Sequence, residues 1–297
     1  MRKAFAIAHT TALEIVSEPL TLLTLLAALV LAVFAPTFHY HQFGEATRMA
    51  RDAGFSAVFV GGGVLAVFGT LRAFRREVES GTLEMALARP ISWRLFFLSK
   101  AAGAFFAASL VMATVFATAL VVVEGAAVGG RIADRTGEIA RVWGPCVAAG
   151  SAVIVVPLGL GAALNRLARF RFVLTAVALA AATSAVAAGW ALARDARTLL
   201  PFVPAVLPLC CLTSVFTAAS ASLALRFRAN AAATLAGLVV MAFLPFAGNY
   251  YMADALSNGG RVSWAYAGLS ALAALPALAA FLVLGCREKT EGWRHDG

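Results

Sequence analysis

Eight apolar runs, each about as long as a membrane-spanning helix, dominate this chain. They lie near residues 19–38, 55–74, 97–123, 146–164, 172–192, 204–225, 231–252 and 264–285. A helix that crosses the hydrocarbon core of a bilayer needs about 20 apolar residues. The composition agrees, because 61% of the residues are hydrophobic and only 13% are charged, against about a quarter charged in soluble domains. A soluble enzyme and a disordered chain are excluded, and an all-α polytopic membrane protein is predicted.

The distribution of Lys and Arg among the loops predicts how these spans are oriented. Sixteen of the 24 basic residues lie in the two terminal segments and in alternate loops, all on one side of the membrane. Because basic loops stay in the cytoplasm, both termini are predicted to be cytoplasmic. The pattern indicates a multi-pass protein of the cytoplasmic (inner) membrane of a prokaryote. The net charge of +9 comes from residues that flank spans, so no nucleic-acid partner is predicted.

A six-span arrangement is the alternative to eight spans. In it, residues 204–252 would form a re-entrant hairpin that enters the membrane from outside, with Arg226 and Arg228 near the middle of the bilayer. A central arginine costs about 2.5–3.5 kcal/mol on insertion scales. About eight spans is therefore the favoured prediction.

The segments outside the spans divide the chain into three parts. Residues 1–18 are predicted to form an amphipathic helix on the cytoplasmic membrane surface, residues 19–285 a single transmembrane domain, and residues 286–297 a cytoplasmic tail. The apolar residues that recur at helical spacing in the first part are Phe5, Ala8, Ala12 and Ile15.

The predicted span cores contain no Asp, Glu, Lys, Arg or His. Ion-coupled transporters depend on ionisable groups at membrane depth, and membrane enzymes need a nucleophile, a base or metal ligands. A passive membrane machine driven by another protein is therefore favoured. An ion-coupled secondary transporter is the alternative function, and a membrane enzyme or a scaffold is a third class.

Three polar features near the spans are candidates for binding sites. Cys210 and Cys211 could be ligands of a cuprous ion, although adjacent cysteines in an apolar helix are more typical of packing. His39 and His41 lack a third ligand in the sequence around them, which favours an interfacial role. Asn249 could bind a neighbouring helix or a substrate, and packing is favoured. No metal site is predicted.

The loop between the second and third spans is long, polar and clearly patterned. Thr82 is a good N-cap for a short helix, Leu83 and Leu87 share one face of it, and Pro90 ends it. Ser92 is then expected to cap the helix that enters the third span. A two-turn amphipathic helix is not stable alone in water. The pattern therefore predicts docking into a groove on a partner.

This loop resembles the first coupling-helix segment of type-2 ABC transporter permeases, in particular the stand-alone subunits similar to copper-enzyme-maturation permeases. The matching string is Glu77-x-Glu79-x-Gly81-Thr82-Leu83-Glu84-x-x-Leu87-x-Arg89-Pro90-Ile91-Ser92, followed by Lys100. The N-terminal helix and the basic loop 165–171 resemble that family's elbow helix and second cytoplasmic coupling loop. The chain departs from many relatives in having Trp93 directly after the serine, and eight predicted spans in place of six.

The resemblance implies the membrane-spanning permease subunit of an ATP-driven ABC transporter, with export favoured over import. It implies a second permease copy, as a homo- or heterodimer, and a separate ATPase subunit that binds ATP and Mg²⁺. The chain has no Gly-x-x-x-x-Gly-Lys-Ser/Thr phosphate loop, so it is not expected to be an enzyme or to bind a cofactor itself. The implied ATPase-coupling residues lie in segment 75–93 and in the second loop: Arg76, Glu77, Glu79, Gly81, Thr82, Leu83, Glu84, Leu87, Arg89, Pro90 and Ser92, with Arg166, Arg169 and Arg171.

Overall fold

The computed structural model describes residues 2–34, 46–80, 92–136, 144–227, 231–232, 234–239 and 264–287. Nearly all of these residues are helical, and no strand occurs among them. The all-α prediction is confirmed for this part of the chain. Six of its helices are long and apolar enough to cross a membrane, or seven if the bent pair at the N-terminus counts as one span. Of the eight predicted runs, the one at 231–252 lies mostly outside the described residues.

The helices follow the apolar runs but extend beyond several of them. In chain order they are α1 (Arg2–Val16), α2 (Pro19–Phe34), α3 (Ala46–Val64), α4 (Thr70–Glu79), α5 (Trp93–Thr136), α6 (Gly144–Ala168), α7 (Phe172–Arg194), α8 (Ala196–Leu199), α9 (Val206–Arg226) and α10 (Trp264–Arg287). A π-helical turn, Leu65–Gly69, joins α3 to α4, and a 3-10 helix, Leu200–Ala205, joins α8 to α9. The α5 helix extends past its apolar run at both ends.

The chain divides into two compact units. The first contains Met1–Ile15, Gly63–Ser109 and Pro204–Gly297, and the second contains Val16–Gly62 and Leu110–Val203.

In the first unit, α9 packs against α10, against α4 and against the π turn. Ser222 Oγ donates a hydrogen bond of 2.7 Å to the backbone oxygen of Phe281. Both residues lie within two turns of the C-terminal ends of their helices, which end at Arg226 and Arg287. The α9 and α10 helices therefore run in the same direction.

The α1 helix packs against α5 at a glycine. A Cβ atom on Gly103 would lie 2.9 Å from Thr11 Cβ and closer still to the backbone oxygen of Ala8. The side of α1 that packs includes Thr11 and Ile15, which are buried, whereas Phe5 is 74% exposed. The close approach of the two helices therefore depends on the missing side chain at residue 103.

In the second unit, α2 packs against α6 and α7, and these two pack against each other. Its core is formed by the buried residues Val33, Ala50, Leu120, Val121, Val122, Val123, Ala126, Ala188, Ala191, Leu199 and Phe202. The buried Arg51 lies near the start of α3, where it donates to Asp52 at 3.0 Å and places its guanidinium 5.4 Å from the centre of the Phe202 ring.

Candidate functional site

The predicted coupling region begins on the last turns of α4, which carry several charged residues. We define the charged end as these residues and their partners: Arg75, Arg76, Glu77, Glu79, Lys100 and Glu14. The helix period places Phe74 and Glu77 on one side of α4, and this side faces α5, because the rings of Phe74 and Phe97 lie 5.7 Å apart.

A buried ion pair joins α4 to α5. Lys100 Nζ lies 2.5 Å from Glu77 Oε1, and the lysine side chain is 1% exposed while the glutamate side chain is 30% exposed. Lys100 Nζ also lies 5.6 Å from the centre of the Phe74 ring and 6.0 Å from that of Phe96. Because removing an ammonium group from water costs several kcal/mol, the carboxylate and the two aromatic faces together explain how this lysine is accommodated.

The position of Lys100 in α5 places the ion pair near one end of the span. Lys100 is seven residues from Trp93, where α5 begins. At about 1.5 Å per residue, this is about 10 Å along the helix. The pair therefore lies well short of the middle of a 44-residue helix.

Two arginines of α4 connect the charged end to α1 and α9. Arg76 Nη1 donates to Glu14 Oε1 of α1 at 2.9 Å. Arg75 Nη2 donates to the backbone oxygen of Phe227, just past α9, at 3.1 Å. The oxygen of Phe227 is one of the carbonyls that a helix C-terminus leaves without an internal partner, so Arg75 acts as its C-terminal cap.

The α10 helix is connected to the charged end through a hydrogen bond with Trp93, the first residue of α5. Trp93 Nε1 donates to the backbone oxygen of Gly285 at 3.2 Å. A Cβ atom on Gly285 would overlap the ring of Phe97, so this glycine is required for the close packing. The ends of α1, α4, α5, α9 and α10 are thus connected by side-chain contacts within the first unit.

Three buried polar atoms of the charged end have no hydrogen-bond partner among the described residues: Glu77 Oε2, Arg75 Nε and Lys100 Nζ. Of these, Lys100 Nζ is engaged in the ion pair with Glu77 Oε1. Leaving a buried polar atom unpaired costs about 1–3 kcal/mol. The charged end therefore has one free acceptor and one free donor close to where α4 ends at Glu79.

Four of the predicted coupling residues in segment 75–93 fall within the described part of the chain. Glu77 is directed toward Lys100, whereas the side chains of Arg76 and Glu79 are 65% and 70% exposed. Ser92 occupies the N-cap position of α5, where its backbone oxygen accepts a hydrogen bond of 3.1 Å from Phe96. The other predicted coupling residues of this segment lie outside the described residues: Gly81, Thr82, Leu83, Glu84, Leu87, Arg89 and Pro90.

The second predicted loop belongs to the second unit and joins α6 to α7. Its basic residues, Arg166, Arg169 and Arg171, are all exposed. Arg169 has a φ of 55°, in the left-handed region that residues other than glycine seldom adopt. Its N–H donates to the backbone oxygen of Asn165 at 3.1 Å, so the left-handed residue closes the last turn of α6.

Sequence patterns alone did not identify the partners that complete the charged end. Lys100 was noted as the residue that follows the motif, but its pairing with Glu77 was not predicted. The signal that could have found it is a single lysine inside an apolar helix, with Phe96 one turn earlier on the same face. The contact between Arg75 and Phe227 joins residues 152 positions apart, and no local spacing indicates it.

The other candidate features do not form a site in the described part of the chain. No group of three or more His, Cys, Asp or Glu side chains that could hold a metal ion occurs there. Cys210 and Cys211 are half-buried side chains of α9 without a disulfide. His39, His41 and Asn249 lie outside the described residues.

Comparison with protein-family models, with curated proteins and with solved structures finds no match to this chain.

Proposed function

We propose that this chain is the membrane-spanning permease subunit of an ATP-driven ABC exporter, and that the segment next to the charged end docks onto a separate ATPase subunit. The observation that carries the proposal is the connection of five helix ends by Lys100–Glu77, Arg76–Glu14, Arg75–Phe227 and Trp93–Gly285. Residues 81–91 join α4 to α5 directly, so a movement of this segment would be passed to all five helices at once.

The distribution of charge supports an external source of energy. The chain has no phosphate loop, and its buried Lys100 lies about 10 Å from the start of α5 rather than at mid-span. An ion-coupled secondary transporter, the alternative, would need ionisable groups near the centre of the membrane. Arg51 lies five residues after the start of α3 at Ala46.

The proposed assembly contains two permease copies, identical or different, and the ATPase subunits. ATP and Mg²⁺ bind to the ATPase, and this chain binds no cofactor. Leu83 and Leu87 fill an apolar groove on the ATPase, while Arg76, Glu79, Glu84 and Arg89 orient the contact through charge. Burial of one leucine side chain contributes about 1.5–3 kcal/mol, which is enough for two leucines to control the association.

Eight spans are part of the same proposal. The α9 helix ends at Arg226 and α10 begins at Trp264, and their shared direction supports a return of the intervening chain to the opposite side of the membrane. The apolar run at 231–252 is long enough to do so, and residues 234–239 within it are helical. With it, the spans place both termini in the cytoplasm of a prokaryotic cell.

The test is co-purification with a phosphate-loop ATPase, which the proposal expects to be encoded in a neighbouring open reading frame. Leu83→Asp combined with Leu87→Asp is expected to abolish co-purification and the stimulation of ATP hydrolysis. The control is Ser80→Asp, which adds a carboxylate at the exposed residue after α4 without touching the apolar stripe, and it should retain both. Normal assembly and stimulation in the double aspartate variant would show that this segment is not the coupling element.

A second measurement separates the two candidate functions. Transport by the assembled complex should continue when an ionophore removes the proton and sodium gradients, and it should stop when ATP hydrolysis is blocked. The reverse result would favour the ion-coupled secondary transporter.

A further inference from the structure

The loop between α6 and α7 contains both basic and large apolar residues, and the two helices that it joins contain no acidic residue that could neutralise its positive charge. Residues 144–194 contain four arginines and no Asp or Glu. None of Arg166, Arg169 and Arg171 pairs with an acid among the described residues. Leu167 is 84% exposed and Phe170 is 57% exposed. The loop therefore presents three arginines with two large apolar side chains between them.

The lengths of the flanking helices place this loop at the depth of the lipid headgroups. The α7 helix has 23 residues, or about 34 Å at 1.5 Å per residue, and the hydrocarbon core is about 30 Å thick. Only residues 169–171 separate the end of α6 at Ala168 from the start of α7 at Phe172. A connection this short does not reach beyond the headgroup layer, which extends about 5–7 Å from the core.

The two helices themselves present much of their surface to the surroundings. Within their most apolar windows, 22% of the residues of α6 and 28% of those of α7 are buried, against 67% for α5. Exposed apolar residues continue from the loop along both helices, as Leu160 on α6 and Val186 on α7 show. This hairpin is therefore in a position to be surrounded by lipid.

We propose that residues 165–171 form a binding surface for anionic phospholipid headgroups. The guanidinium groups of Arg166, Arg169 and Arg171 bind lipid phosphates, which they can do through two parallel hydrogen bonds. Leu167 and Phe170 lie at the boundary with the acyl chains, as apolar side chains do in interfacial segments. The left-handed turn at Arg169 separates Leu167 from Phe170, so both can enter the bilayer while the arginines stay at the phosphates.

A protein groove is the competing partner, because the resemblance gives this loop as a second contact with an ATPase. The short connection favours lipid, since a loop of three non-helical residues stays within the headgroup layer. The inference does not rest on the proposed function, and the measurement of lipid preference that tests it contains no ATPase. Failure of the test would therefore leave the proposed function unaffected.

The test measures lipid preference in the purified full-length protein. Phosphatidylglycerol and phosphatidylcholine are offered together in detergent, and native mass spectrometry gives the ratio of the two bound lipids. A basic residue at an anionic surface contributes about 1 kcal/mol, so each Arg→Gln substitution in the loop should reduce the preference for phosphatidylglycerol about fivefold. In the triple variant R166Q/R169Q/R171Q the preference should fall about a hundredfold, or to equal binding if the wild-type preference is smaller than that.

Two controls make the outcome specific to this loop. Arg194→Gln removes a charge at the other end of α7, where Arg194 lies 3.8 Å from Glu124, and it should leave the preference unchanged. The triple lysine variant R166K/R169K/R171K keeps the charge and should retain most of the preference. Because the loop side chains are exposed, the variants are expected to unfold at the same temperature as the wild type, which circular dichroism checks.

Two results would overturn the proposal. One is an unchanged preference for phosphatidylglycerol in the triple glutamine variant. The other is a preference that falls equally in Arg194→Gln, which would indicate a general effect of charge. If the triple glutamine variant keeps its lipid preference but no longer co-purifies with the ATPase, the loop is a protein contact and the lipid assignment is wrong.

Discussion

At the scale of single residues, the two members of the buried ion pair differ in their access to water. Lys100 is 1% exposed and Glu77 is 30% exposed. Glu77→Gln leaves a buried ammonium without a counter-charge, and it should lower the free energy of unfolding by about 3–5 kcal/mol. Lys100→Met leaves a carboxylate that can reach solvent, so it should cost less, about 1–2 kcal/mol.

Chemical unfolding in detergent measures both effects and their coupling. The double variant E77Q/K100M should be more stable than the sum of the two single effects predicts, because neither charge is then left unpaired. Additive single effects would contradict a direct interaction between the two side chains.

A second residue-scale prediction concerns Thr70, the first residue after the π turn. Several buried threonines bond to the carbonyl four residues earlier, as Thr217 does to Thr213 at 2.8 Å. Thr70 Oγ1 is buried without a partner among the described residues, and its equivalent carbonyl, that of Ala66, lies inside the wider π turn. Thr70→Val should therefore raise the free energy of unfolding by about 1 kcal/mol, since it removes an unpaired hydroxyl.

Thr217→Val is the matched control, because Thr217 is also buried in the first unit but its hydroxyl is bonded. It should lower the free energy of unfolding by about 1 kcal/mol. Opposite signs for the two threonines, measured by the same chemical unfolding, are the expected result. A loss of stability in both would mean that the Thr70 hydroxyl has a partner.

At the scale of elements, the packing of α1 against α5 depends on Gly103. A side chain there would meet the backbone of α1 at Ala8, and backbone cannot move aside as a flexible side chain can. Gly103→Val should displace α1 and cost about 1–3 kcal/mol. The measurement is thiol labelling of Thr11→Cys in a variant without native cysteines, because Thr11 is 4% exposed and should become reactive when α1 detaches.

Gly159→Val provides the control for this experiment. Gly159 is also a helical glycine, but nothing lies within 4 Å of the position of its Cβ. It should leave the labelling of Thr11→Cys unchanged. Rapid labelling without any glycine substitution would show that α1 is not held against α5.

The elements also show how much the sequence could predict. Apolar length indicated the long helices in the described part of the chain, because the membrane requires about 20 apolar residues per span, and the spacing of apolar residues indicated α1. The site was predicted only in part. The motif located Arg76, Glu77, Glu79 and Ser92, but it gave no indication that Glu77 faces Lys100. Which side of a helix packs inward is decided by partners distant in sequence, such as Phe227 for Arg75.

At the scale of the whole molecule, the direction of α9 and α10 favours the proposed eight spans over six. The bond between Ser222 and Phe281 places the two C-terminal ends on the same side. In the six-span arrangement α9 would stop within the membrane, yet Leu200–Arg226 has 27 residues and is long enough to cross it. We therefore expect the chain after Arg226 to cross once more before Trp264.

Reporter fusions test this crossing. Green fluorescent protein fused after Arg228 should fluoresce, because that site is predicted to be cytoplasmic, and alkaline phosphatase there should be inactive. Both results should reverse for fusions after Asn258, on the other side of the 231–252 run. Ala168 is the control for a cytoplasmic loop, because it lies at the end of α6 where the basic loop begins.

If fusions after Arg228 and Asn258 report the same side, this run does not cross the membrane and the eight-span arrangement is wrong. The proposed coupling to an ATPase would still stand, because the charged end depends on contacts among helices that precede this run or follow it, and not on the run itself.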